Sequence, residues 1–231
     1  MCTLLTISRG FYRANRLDVL RTIRYDAGGN PHGFALELID RASPLFLQGF
    51  DIEKAIKLIE NSDFDRLVLH QRFSTTQNVE LVDCHGYVGI DGSRWYHNGI
   101  IDNPARLRVD SINLIDCISV YDAVHVYKGA YANLIRVSDT GDVSVGRAGN
   151  SGRLHRDAKG HNFSTTIIGK IKIPVKPMET FEIAAKKRKR PNDYYYGIED
   201  KFIDPEMDWP AEWINEAKSE YLDMYREALK E

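Results

Sequence analysis

Short runs of β-branched and leucine residues recur along much of this 231-residue chain, and their order around two helical stretches limits the architectures open to it. Residues 3–8, 34–39, 66–73, 94–97, 130–138, 143–147 and 164–173 read as strands. Residues 50–61 read as a helix with Ile52, Ala55, Ile56 and Ile59 on one face. Residues 110–127 read as a second helix, with Ile112, Ile115, Ile118 (or Ser119) and Ala123 on its buried side. Gly28-Gly29-Asn30-Pro31-His32-Gly33 is a turn signal, and another turn is expected at Asn98-Gly99. Strand runs, a helical layer and more strand runs suit an α+β architecture with stacked sheets better than a βαβ repeat.

The chain is 43% hydrophobic and 28% charged, with a formal net charge of −2, which allows one large domain with a real core or two small ones. This near-neutral balance gives no reason to expect nucleic acid or an acidic membrane surface as partner. No apolar run reaches membrane-spanning length, and the first residues lack the basic and apolar regions of a signal peptide. Cys2, Cys84 and Cys117 form no CxxC pair and no disulfide framework, so a cytoplasmic protein is expected. The basic run at 186–190 marks a change of composition, and a domain at 1–183 is expected to be followed by an extension at 184–231. That extension reads as a basic linker and an amphipathic helix. Asp208 is its N-cap, Pro210 lies near its first turn, and Trp213, Ala217, Tyr221, Met224 and Ala228 fall at helical spacing.

Cys2 stands directly behind the initiator Met. Removal of Met1 is expected, since aminopeptidases act before small residues, and it would leave a thiol and a free α-amine on one residue. Their ordinary pKa values, about 8.5 and about 7.7–8.0, are close enough for the amine to relay the thiol proton. A small residue opening a buried strand is the plainer reading of Cys2 taken alone.

Four segments change that ranking: Met1-Cys2-Thr3-Leu4-Leu5, Asn30-Pro31-His32-Gly33, His70-Gln71-Arg72-Phe73-Ser74-Thr75, and His97-Asn98-Gly99-Ile100-Ile101. With Val109-Asp110-Ser111-Ile112 and Gly129-Ala130-Tyr131-Ala132 after them, the chain resembles class II glutamine amidotransferases, of the N-terminal nucleophile hydrolase superfamily, over roughly residues 2–183. The resemblance implies a four-layer αββα sandwich and hydrolysis of the side-chain amide of L-glutamine. It implies Cys2 as nucleophile. Asn98, through its side chain, and Gly99, through its backbone N–H, are the implied oxyanion donors. Arg72 is implied as a bidentate clamp on the substrate α-carboxylate, Thr75 as a further contact, and Asp110 as partner of the α-ammonium. Asp102 and Asp116 are alternatives to Asp110, and His32 and Gly33 are expected to shape the pocket rim.

No cofactor or metal is expected: Cys84-His85 with His70 or His97 matches no zinc-ligand spacing. No ammonia-using domain is legible, so the expected partner is a separate ammonia-accepting synthetase or transferase subunit. Two other readings stand beside this one. The first is an N-terminal nucleophile amidohydrolase on another γ-glutamyl or acyl amide. The second is a non-catalytic subunit that keeps the fold.

Overall fold

A computed structural model of the chain describes residues 2–40, 44–73, 84–89, 91–100, 117, 119–127, 131–149 and 153–185. The chain divides into two units, Met1–Arg188 and Lys189–Glu231, and every described residue belongs to the first. The expected C-terminal helix and the start of the 110–127 helix lie outside the described residues.

The first unit holds two antiparallel sheets and few helices, as an α+β chain requires. The larger sheet is built around β1 (Thr3–Ser8), which pairs with β4 (Arg66–Gln71) on one side and β10 (Phe163–Ser164) on the other. Beyond β4 lie β2 (Phe34–Ile39) and β3 (Leu45–Gly49), and beyond β10 lie β9 (His155–Arg156) and β11 (Ile173–Pro174). The second sheet runs β12 (Thr180–Ile183), β8 (Val143–Ala148), β7 (Tyr131–Val137), β6 (Arg94–Ile100) and β5 (Tyr87–Val88).

Period-two alternation explains the layers. From β1, Leu5 and Ile7 join Leu36, Leu38, Leu67 and Leu69 in a core against α1 (Arg9–Ala14), α2 (Arg16–Gly29) and α3 (Ile52–Asn61). Leu4, on the other face of β1, joins Ala35, Val68, Tyr96, Ile135 and Val145 in a core shared by both sheets. A third core gathers Trp95, Leu134 and Ala148 with Val120, Ala123 and Val124 of α4 (Val120–Val126). A polar tie crosses the inter-sheet core: Glu37, 1% exposed, accepts from Arg94 Nη1 at 2.8 Å and from the Tyr96 hydroxyl at 2.7 Å.

The structure departs from the sequence reading at several places, and β3 and β12 form where no strand is expected. Residues 9–29 form α1 and α2, although only Tyr12, Val19, Leu20 and Ile23 of them are buried, a stripe too narrow to stand out among polar neighbours. The expected strand at 164–173 is broken. Thr166 N–H donates to Ser164 Oγ at 3.1 Å, Gly169 turns at φ +52, and only β10 and β11 remain as strand. Asn98-Gly99 is not a turn: both residues lie within β6, opposite Asn133 and Ala132 of β7. No described helix is long and apolar enough to cross a membrane.

Candidate functional site

Cys2 sits one residue before the central strand of the larger sheet. Since Thr3 pairs with Gln71, Cys2 lies beside the chain leaving β4, where Arg72 and Phe73 follow. The Phe73 N–H donates to Cys2 Sγ at 3.2 Å. Alternation places Cys2 on the same face as Leu4, toward the second sheet. From that sheet Asn98, 3% exposed, donates its Nδ2 to the Cys2 carbonyl oxygen. A carboxamide NH₂ carries two donors, so this bond leaves it a second N–H. Gly99 follows on β6 with φ +127 and is exposed.

Arg72 is tied to the glycine-rich segment through its backbone. Its N–H donates to Gly33 O at 2.8 Å, and its carbonyl accepts from His32 N–H at 3.2 Å. Its charge acts on the thiol of Cys2 and on the imidazoles of His70 and His85. Burial pushes the Cys2 thiol up, while the Phe73 amide, the amino-terminal charge and Arg72 pull it down. The net direction is upward, so a base is needed to make the thiolate at neutral pH. While Met1 is attached, the Cys2 nitrogen belongs to a peptide bond and takes no proton; once Met1 is removed, it is an amine.

Cys2, Arg72 and Asn98 thus come together from three separate segments, with Gly99 next along the strand. Thr75, Asp110, Asp102 and Asp116 lie outside the described residues.

Two further groups adjoin these residues. A cleft of about 600 Å³ opens beside Cys2, lined by Thr3, Asp26, Asn30, Thr165 and Thr166 among others. A hydrogen-bonded relay forms part of its wall. Asn30 Nδ2 donates to Thr3 Oγ1 at 3.1 Å, and Thr3 Oγ1 and Thr166 Oγ1 donate to Asp26 Oδ2 at 2.9 and 3.0 Å. Asn30 Oδ1 is buried with no partner among the described residues. Asp26 in α2 carries no motif, Thr3 stands in the first segment without a role of its own, and only the alternation that turns Thr3 away from Cys2 hints at their meeting.

The second group is a stack of imidazoles from His70, His85 and His97. The His70 and His85 rings lie 3.7 Å apart and nearly parallel, at 6°. Rings packed face to face direct their in-plane lone pairs past one another rather than to a common point, and no metal-binding group occurs among the described residues. Burial holds His97 down to about 4, and burial with the neighbouring imidazoles and Arg72 holds His70 and His85 well below the usual histidine range. The sequence matches no protein-family model and no curated protein.

Proposed function

We propose that the chain is a stand-alone glutaminase of the class II amidotransferase kind, in which Cys2 hydrolyses the side-chain amide of L-glutamine. The succession of apolar cores, from helices to sheet to second sheet to helix, supports the four-layer αββα N-terminal nucleophile hydrolase sandwich. The observation that carries the reading is the bond from Asn98 to the Cys2 carbonyl, because it sets a carboxamide N–H of one sheet beside the thiol of the other.

The amine of a mature Cys2 takes the thiol proton, and the thiolate adds to the carboxamide carbon. Negative charge grows on the amide oxygen, where the Asn98 Nδ2–H and the Gly99 N–H are its donors; one such donor is typically worth about 10²–10³ in turnover. The protonated amine returns its proton to the leaving nitrogen, the C–N bond breaks, and ammonia departs from a γ-glutamyl thioester. Water, deprotonated by the same amine, then adds to the thioester; the C–S bond breaks to give glutamate and the free thiol. Arg72 holds the α-carboxylate; the family resemblance gives Thr75 a further contact and assigns the α-ammonium to Asp110, with Asp102 and Asp116 as alternatives. The ammonia passes to a separate synthetase or transferase subunit.

The test is trapping with 6-diazo-5-oxonorleucine followed by intact-mass and peptide analysis. One label per chain is expected, on Cys2 of chains that have lost Met1, with ammonia released from glutamine by the unlabelled protein. A mature chain that takes no label and releases no ammonia refutes the mechanism.

The cleft beside Cys2 favours a second reading. Cavities of about 300–1,000 Å³ accommodate ligands larger than one amino acid, and this one measures about 600 Å³. An N-terminal nucleophile amidohydrolase acting on a bulkier γ-glutamyl or acyl amide would fill it. Faster turnover of N-substituted γ-glutamyl amides than of glutamine would select that reading.

A further inference from the structure

Among the described residues, strand pairing along this edge of β6 stops just before the residues that face Cys2. β5 covers β6 only through Tyr87 opposite Trp95 and Val88 opposite Arg94. Gly86 N–H still reaches the Trp95 carbonyl at 3.1 Å. The next main-chain group of β6 that points to this side is the N–H of His97, two residues on. Among the described residues its partner is not a strand carbonyl but Nδ1 of His85, to which it donates at 3.1 Å. A side-chain nitrogen thus stands where a ladder acceptor would be, one residue before Asn98.

The His85 ring is fixed from both faces. His70 of β4 stacks on it at 3.7 Å, and His97 packs on it at 4.1 Å with a tilt of 31°. All three residues are buried, at 0%, 6% and 4% exposure for His70, His85 and His97. The ring therefore ties β6 to the strand that leads into Arg72.

We infer that His85 is a positioning residue for Asn98 and Gly99: its neutral Nδ1 holds the main chain of β6 at His97, and its stacking on His70 sets that hold relative to Cys2. This rests on the glutaminase reading for its catalytic consequence, though not for its geometry. A buried imidazole kept neutral has one nitrogen free to accept, as this contact requires. Proton uptake at Nδ1 would convert the acceptor into a second donor facing the His97 N–H.

The discriminating pair of full-length variants is His85→Phe and His85→Asn. Phenylalanine keeps a ring in the stack and removes the acceptor, whereas the asparagine Oδ1 can occupy the place of Nδ1. In His85→Phe, exchange of the His97 amide with solvent deuterium should accelerate at least about tenfold, and kcat for glutamine should fall about 10–10²-fold with KM within about threefold. His85→Asn should restore both readouts to within about threefold of the parent. Wild-type exchange at His97 in His85→Phe, or equal loss of kcat in both variants, overturns the inference. If the parent protein neither takes the diazo label nor releases ammonia, the glutaminase reading has failed. The amide-exchange comparison then decides the positioning role by itself.

Discussion

Acid should weaken this fold well above the pH at which carboxylates titrate, because the histidine stack must stay neutral. His97 makes the magnitude explicit. Its imidazole is held down to about 4 by burial, opposed by an interaction with the Gly99 backbone, against an ordinary value of 6.5. As pH falls through the ordinary value, the unfolded chain binds a proton that the folded chain refuses. The stabilising contribution is therefore present above the ordinary value and is lost progressively as pH falls toward about 4. Between about pH 7 and about pH 5 the loss from His97 alone comes to about 2 kcal/mol. His70 and His85 shift in the same direction and enlarge it. The groups around the His97 ring are His85, Tyr87 and, through the stack, His70, with the charge of Arg72 acting on the other two imidazoles. Glu37 works the other way, since burial raises its carboxyl and acid favours its folded state. It is common to both proteins in a comparison of the parent with His97→Gln, so its effect cancels. Guanidinium unfolding at about pH 7, 6 and 5 should show the parent losing about 2 kcal/mol more than the variant across that interval. Equal losses in the two proteins would refute the reasoning.

Substitutions at two other positions probe the frame around Cys2. Gly33 has φ +104, and a Cβ there would lie 2.5 Å from Cys84 Sγ and 3.2 Å from the Gly49 carbonyl. Gly33→Ala should cost about 1–3 kcal/mol in a denaturant titration, and an unchanged midpoint would show that the backbone relaxes freely. Arg72→Ala should raise KM for glutamine about 10–100-fold, the range expected for losing charge-assisted hydrogen bonds to a carboxylate, with Arg72→Lys in between. Unchanged KM in both variants removes Arg72 from the substrate.

What the sequence disclosed depended on whether the signal was local. β1 and β2 begin and end where the apolar runs do, at Thr3–Ser8 and Phe34–Ile39, because alternation and flanking turn residues act over a few positions. The helix expected at 50–61 forms from Ile52, once Asp51 caps it by accepting from Glu53 N–H at 3.1 Å. α2 was hidden because Val19, Leu20 and Ile23 are its only buried residues, and its last turn contains Gly28 and Gly29, which read as a loop. The Asn-Gly pair read as a hairpin turn because that is its strongest local meaning, whereas pairing with β7 carries it on as strand. Cys2, Arg72 and Asn98 were legible as motif residues, while the distances among them are tertiary. The histidine stack was not legible. His70 and His97 stood in motif segments without a role of their own, all three were otherwise weighed only as poor zinc ligands, and face-to-face packing has no signature in spacing.

β1 precedes both of its partner strands in the chain and is completed only by the later of them. Its partners are β4, at Arg66–Gln71, and β10, at Phe163–Ser164, and Thr165 N–H reaches the Leu4 carbonyl at 2.9 Å. At about 5–20 residues per second, a ribosome takes on the order of 10–30 s to reach the second of these partners. Throughout that interval Leu4, Leu5 and Ile7, at most 1% exposed in the finished fold, have one side of their strand unpaired. The nascent chain therefore offers chaperones an apolar segment until β10 is made.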